Sequence, residues 1–238
     1  MELLEDFSDE RLRLHCIHCG AYLAACAANS DHVPSKCLLN RPLSPDPPKV
    51  TVCRKCNSSF ALDEEYLGVL LAAVLSGNAM PDAGRFPKPA TAIKRNPRLH
   101  ARIAWARQEQ MTLFGEPEVL WAPQAERVER VVVKNARGHL FHELGGASPE
   151  DPMSVWFSPV ARLSPDRRAA FERVDRGLLP EFDSRMLRRV LGIEPPLDSW
   201  VEVQRDVYRY AVLQNGDALT VRTLIRNYLA TEVTWALD

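Results

Sequence analysis

Three stretches between Cys16 and Tyr66 decide how this chain reads: CIHCG at 16–20, DHVPSKCLL at 31–39 and VCRKCNSSFALDEEY at 52–66. Four of the six cysteines form two CxxC pairs, Cys16/Cys19 and Cys53/Cys56, and the last 182 residues contain none. A disulfide scaffold spreads its bridges over a fold. Two short CxxC turns instead close a tetrahedral thiolate site from separated parts of the chain. The spacing predicts one structural zinc on Cys16, Cys19, Cys53 and Cys56. Metal binding stabilises a module too small to build a full core, because its free energy becomes folding free energy. Cys26 and Cys37, which fall singly between the pairs, are expected as small buried side chains.

The rest of the composition is that of an ordinary globular protein. Apolar residues make up 46% of the 238 and charged residues 26%, with 30 Lys+Arg against 31 Asp+Glu. Collagen, coiled coil, wholesale disorder and a uniformly basic molecule are excluded. The longest apolar stretch, Tyr66–Leu75, is half the ~20 residues that a spanning helix needs. The opening MELLEDFSDE is acidic where a secretory signal is basic and then apolar. The expectation is a soluble, cytoplasmic protein with no membrane partner.

Charge divides the chain into three parts. Residues 1–82 carry 7 basic and 11 acidic side chains, whereas Ala83–Gln108 holds seven Lys/Arg and no acid. The expected organisation is a zinc module at 1–80, a basic linker and helix at 81–108, and an α+β domain at 109–238. Within the first part, Asn29–Val33 and Lys49–Val52 read as short strands, and Asp63 as the cap of a helix through EEYLGVLLAAVL. The linker carries Pro81, Pro87, Pro89 and Pro97 and ends in the helix-like RLHARIAWAR. Lys94, Arg95, Arg98 and Arg102 in it are the candidate nucleic-acid contacts. Further helices are expected at Ala125–Leu144, Ser164–Val174 and Asp183–Leu191. VYRYAVLQ, Asn215-Gly216 and ALTVRTLI form a type I′ hairpin signal, with EVTWAL as a last antiparallel strand.

The full pattern, C-x2-C-x11-D-H-V-P-x18-C-x2-C-N, resembles the HNH, or ββα-metal, endonuclease family in its zinc-knuckle form. The resemblance covers roughly residues 10–75 and implies a zinc-stapled ββα module. It implies that His32 is the general base and that Asp31 and Asn57 hold a catalytic Mg²⁺ or Mn²⁺, with Asp63 a third candidate ligand. A histidine titrates near neutrality and suits proton abstraction from water. An acid and an amide suit a hard cation. On a regular strand Asp31 and His32 would point to opposite faces, so an irregular backbone is expected there. Asn57 also reads as a helix N-cap, and Asn40 stands too early for the motif's central Asn.

The implied activity is metal-dependent hydrolysis of DNA phosphodiester bonds. The C-terminal α+β region would position the substrate, bind a protein partner or mediate self-association. The alternative is a catalytically silent zinc module binding nucleic acid or a protein, including one within a bacterial defence or mobile-element system. Elsewhere, His15 and His18 read as exposed polar residues or phosphate contacts, and His139 and His142 as surface histidines. Trp121, Trp156, Trp200 and Trp235 read as core or interface aromatics.

Overall fold

The computed structural model describes residues 14–43, 48–111, 115–145, 149–174 and 199–236. The helix expected at Asp183–Leu191 lies outside them. The described residues form five α-helices and three antiparallel sheets, an α+β architecture. None of these helices is long and apolar enough to cross a membrane.

Strand β1 (Ala28–His32) pairs antiparallel with β2 (Lys49–Cys53), in register from Ala28↔Cys53 to His32↔Lys49. In β2, Val50 and Val52 turn inward between exposed Lys49 and Thr51, the alternation of a half-buried strand. Helix α1 (Arg54–Leu75) starts at the next residue. It begins well before the expected cap, because Phe60 carries the apolar face of Leu67, Leu70 and Leu71 a turn and more further back. Asp63 is therefore interior to α1 and caps nothing.

Two compact units emerge, Ser59–Val131 and Met1–Ser58 with Val132–Asp238. Their borders fall inside α1 and helix α4 (Ala125–Leu144).

In the 59–131 unit, the proline-rich connector is largely helical. Helices α2 (Pro87–Arg95) and α3 (Pro97–Ala106) both open on proline, which is tolerated where a helix has no partner for the N–H. The Asn96 side chain accepts from the Leu99 N–H at 3.1 Å and caps α3. A two-stranded hairpin, β3 (Arg107–Met111) with β4 (Pro117–Trp121), follows. Asp63, only 4% exposed, accepts from Arg127 and from Arg130 Nη1 at 3.0 Å. The Tyr66 hydroxyl accepts from the Gln124 N–H at 2.9 Å. These contacts join α1 to the first turns of α4.

In the other unit, β5 (Ser154–Pro159) leads through helix α5 (Pro165–Glu172) to β6 (Val201–Gln204), β7 (Tyr208–Asn215), β8 (Ala218–Ile225) and β9 (Leu229–Ala236). The sheet order is β5-β9-β8-β7-β6. Both faces are covered. Phe171 of α5 packs with Leu224, Ala230, Trp156 and Trp200 on one. On the other, His139 of α4 stacks on Tyr210, 3.8 Å between ring centroids, and meets the Tyr208 hydroxyl at 2.9 Å. The β7–β8 hairpin is present, but Asn215 pairs with Ala218, so the turn residues are Gly216 and Asp217. Positive φ is confined to Gly216 at +58°, the type II′ pattern and not the expected I′. The pattern with two positive φ values falls one turn later, at Arg226 and Asn227.

Candidate metal centre and the Asp31–His32 step

The zinc ligands expected from sequence converge. The sulfurs of Cys16, Cys19, Cys53 and Cys56 all lie within 4.8 Å of one another, and among the described residues they are the one such group of three or more His, Cys, Asp or Glu. The first CxxC forms a tight knuckle: the Gly20 N–H donates to the Cys16 carbonyl at 2.8 Å, and the Cys16 N–H to the Ala21 carbonyl at 2.8 Å. The second straddles the β2–α1 junction, so its first cysteine ends a strand and its second lies in the first helical turn. Backbone donors already serve the sulfurs, with the Cys53 N–H 3.4 Å from Cys16 Sγ and the Cys56 N–H 3.4 Å from Cys53 Sγ.

Burial raises the Cys16 thiol, and burial together with the neighbouring sulfurs raises Cys56 far above an ordinary thiol. Thiolates crowded in this way repel one another, and a divalent cation at their centre removes the conflict. Four sulfurs at this separation, with N–H···S support, fit tetrahedral zinc. Cys26 is exposed and Cys37 half-buried, so neither is the buried side chain expected, and both stand outside the cluster.

Asp31 and His32 end β1, and the strand stays regular through His32, contrary to the irregular backbone expected there. Asp31 is buried. Its two oxygens receive Lys134 Nζ of α4 at 3.0 and 2.9 Å, and Oδ1 also accepts from the His32 N–H at 2.9 Å. Lys134, itself 3% exposed, donates to Ser35 Oγ at 3.0 Å as well. Asn135 Oδ1 accepts from the Ser35 N–H at 2.7 Å. The imidazole of His32 is half-buried, and partial burial together with Lys36 and Lys49 holds its pKa below the usual histidine range. A neutral ring with access to solvent is a competent proton acceptor.

Asn57 lies in the first turn of α1, past the position of an N-cap. Its Nδ2 donates to Asn29 Oδ1 at 2.9 Å. Asn29 and Asp31 project from the same face of β1, so Asn57 stands about 7 Å along the strand from Asp31. Asp63, the third candidate ligand, belongs to the 59–131 unit and is engaged by Arg127 and Arg130. Asn40 is tied to the C-terminal sheet, its N–H donating to Gln204 Oε1 at 2.8 Å.

Two histidine expectations are corrected. His18 is 8% exposed, and burial beside the Lys134 and Arg137 charges lowers it to about 3, so it is a neutral ring inside the fold. His139 is 1% exposed between the two tyrosines. The sequence reading also missed Lys134. Its signal was a lysine three residues after Val131, where the helical period calls for an apolar side chain.

Helix α4 reaches the end of β1 because Gly138 has no side chain. A Cβ there would stand 2.6 Å from Val33 Cγ2 and 2.9 Å from Val33 Cγ1. Gly138→Ala is therefore expected to destabilise by about 1–3 kcal/mol, read as a lower denaturant midpoint. Val33→Ala on that background should recover part of the loss, and independent, additive effects would disprove the close approach.

Comparison of the chain with protein-family models, curated proteins and solved structures gives no match.

Proposed function

We propose that the chain is a metal-dependent endonuclease of the HNH type acting on DNA, with a structural zinc on the four cysteines. The observation that supports it most is an arrangement, β1–β2–α1 closed by a four-sulfur cluster, with Asp31-His32 ending β1 and Asn57 opening α1. Asp31 would hold one Mg²⁺ or Mn²⁺ directly, and Asn57, two residues along the strand, would reach it through one of the waters such a cation retains. An ionised carboxylate has about four lone-pair directions, and Lys134 and the His32 N–H use three, so Asp31 retains capacity for one more contact.

The cation, when bound, supplies positive charge to the scissile phosphate and the leaving oxygen. His32 takes a proton from water. The hydroxide so formed attacks phosphorus, and the P–O3′ bond breaks with the electron pair going to the 3′ oxygen. Asp31 also fixes the backbone of His32 through its N–H. Plasmid nicking in Mg²⁺ or Mn²⁺ by wild type, and its loss in His32→Ala, tests this reading.

A second reading is favoured by one observation. Asp31 already has a cation, the Lys134 ammonium, on both oxygens. In this reading the zinc module is catalytically silent and binds nucleic acid or a protein partner. Wild type that nicks no plasmid with either metal would select it.

A further inference from the structure

We infer that the exposed face of α3 is a single-stranded DNA surface, on which Trp105 stacks against an unpaired base while Arg98 and Arg102 hold the flanking phosphates. Trp105 is 70% exposed, whereas Trp235 is 3% exposed and Trp156 and Trp200 pack around Phe171. Arg98, Arg102 and Trp105 are spaced i, i+4 and i+7, so they form one stripe about 10 Å long. Buried Leu99, Ile103 and Ala106, each the next residue after a stripe residue and so about 100° round the helix, anchor α3, and Asn96 caps its start. The stripe is thus presented on a rigid element.

Charge identifies the occupant. Among the described residues, none of Lys88, Lys94, Arg95, Arg98 and Arg102 has a carboxylate within ion-pair range. The molecule as a whole has a net charge of -1, so this acid-free segment is a local concentration of positive charge. Unpaired guanidinium groups beside a bare indole match a chain of phosphates carrying flat bases. In a duplex the base faces are covered by their neighbours, whereas a single strand offers them. The choice of DNA rests on the nuclease reading above; the surface itself does not require that the chain cleave.

The test uses the full chain with its zinc, and anisotropy of a labelled oligothymidylate titrated between about 50 and 200 mM salt. Trp105→Ala, at an exposed position, should leave the melting temperature unchanged and weaken binding by about 5- to 150-fold with an unchanged salt slope. Trp105→Phe should retain most of the affinity. Arg98→Gln with Arg102→Gln should lower the log–log salt slope by about 1.4, at roughly 0.7 per phosphate contact on a single strand. Unchanged binding by Trp105→Ala overturns the inference, as does tighter binding of a duplex or of the matching RNA. His32→Ala separates the two readings. If it and wild type bind alike in a Trp105-dependent manner but neither cleaves, only the nuclease reading fails. If wild type cleaves and Trp105→Ala binds as well as wild type, only this inference fails.

Discussion

Protein purified without chelator is expected to contain one zinc per chain, and Cys53→Ser to lose it together with the ordered structure of the β1–β2 hairpin. The reason lies in what the hairpin has to pack against. Its core consists of Ile17, Leu23, Val33, Val50 and Val52 with Cys16 and Cys53, and Cys56 lies against it. The sulfur site is therefore part of the core itself. Structural zinc binding in small modules contributes about 10–16 kcal/mol at neutral pH, comparable with the roughly 8–15 kcal/mol that five buried aliphatic side chains supply, so its loss removes about half of what holds the hairpin. Serine is close in size but lacks the thiolate. The five-stranded sheet has a separate core around Phe171, Leu224 and Ala230, so the loss should be local. Metal analysis and thermal melts followed by circular dichroism are the measurements. Cys26→Ser and Cys37→Ala should retain the metal, since neither sulfur belongs to the cluster. Metal-free protein with an unaltered melt would remove zinc from the account.

The parts of this molecule that sequence reveals are those governed by local rules. The CxxC spacing is a local rule, and so is the apolar period that bounds α4 at Ala125 and Leu144. The hairpin after Tyr208 was legible because strand alternation and a glycine turn are both short-range, although the turn type depended on whether Asn215 paired. The start of α1 was misjudged because Asp63 resembles a cap, whereas its real partners, Arg127 and Arg130, are more than sixty residues away. Asp31 met the same difficulty. Its pairing with Lys134 spans 103 residues, and nothing near Asp31 in the sequence announces it. Buried charge is decided by tertiary contact, and a single sequence does not carry it.

His32→Ala is expected to keep fold, zinc and DNA binding while losing cleavage by a factor on the order of 10² to 10⁴, the usual share of general-base catalysis. Asp31→Ala should fail differently, since it removes both an oxygen donor and the partner of a buried ammonium. Excess Mn²⁺ should restore part of its cleavage and none of that of His32→Ala. Asn57→Asp retains an oxygen donor and should stay measurably active. Lys134 separates the two readings of the site. Lys134→Met leaves the Asp31 carboxylate buried with the His32 N–H as its remaining donor among those described above, which should cost about 3–5 kcal/mol. If Asp31 also accepts a divalent cation, Mn²⁺ should offset that cost, because a ligand bound to the folded state alone stabilises it by mass action. The melting temperature of Lys134→Met should then rise more steeply with Mn²⁺ than that of wild type, and that of Asp31→Asn should not rise. A Lys134→Met melt indifferent to Mn²⁺, in a protein that nicks no plasmid, assigns the ammonium as the only cation of this site. The chain would then be a zinc-built binding module in which lysine has replaced the metal. Cleavage that survives His32→Ala unchanged would sink the mechanism even with the zinc in place.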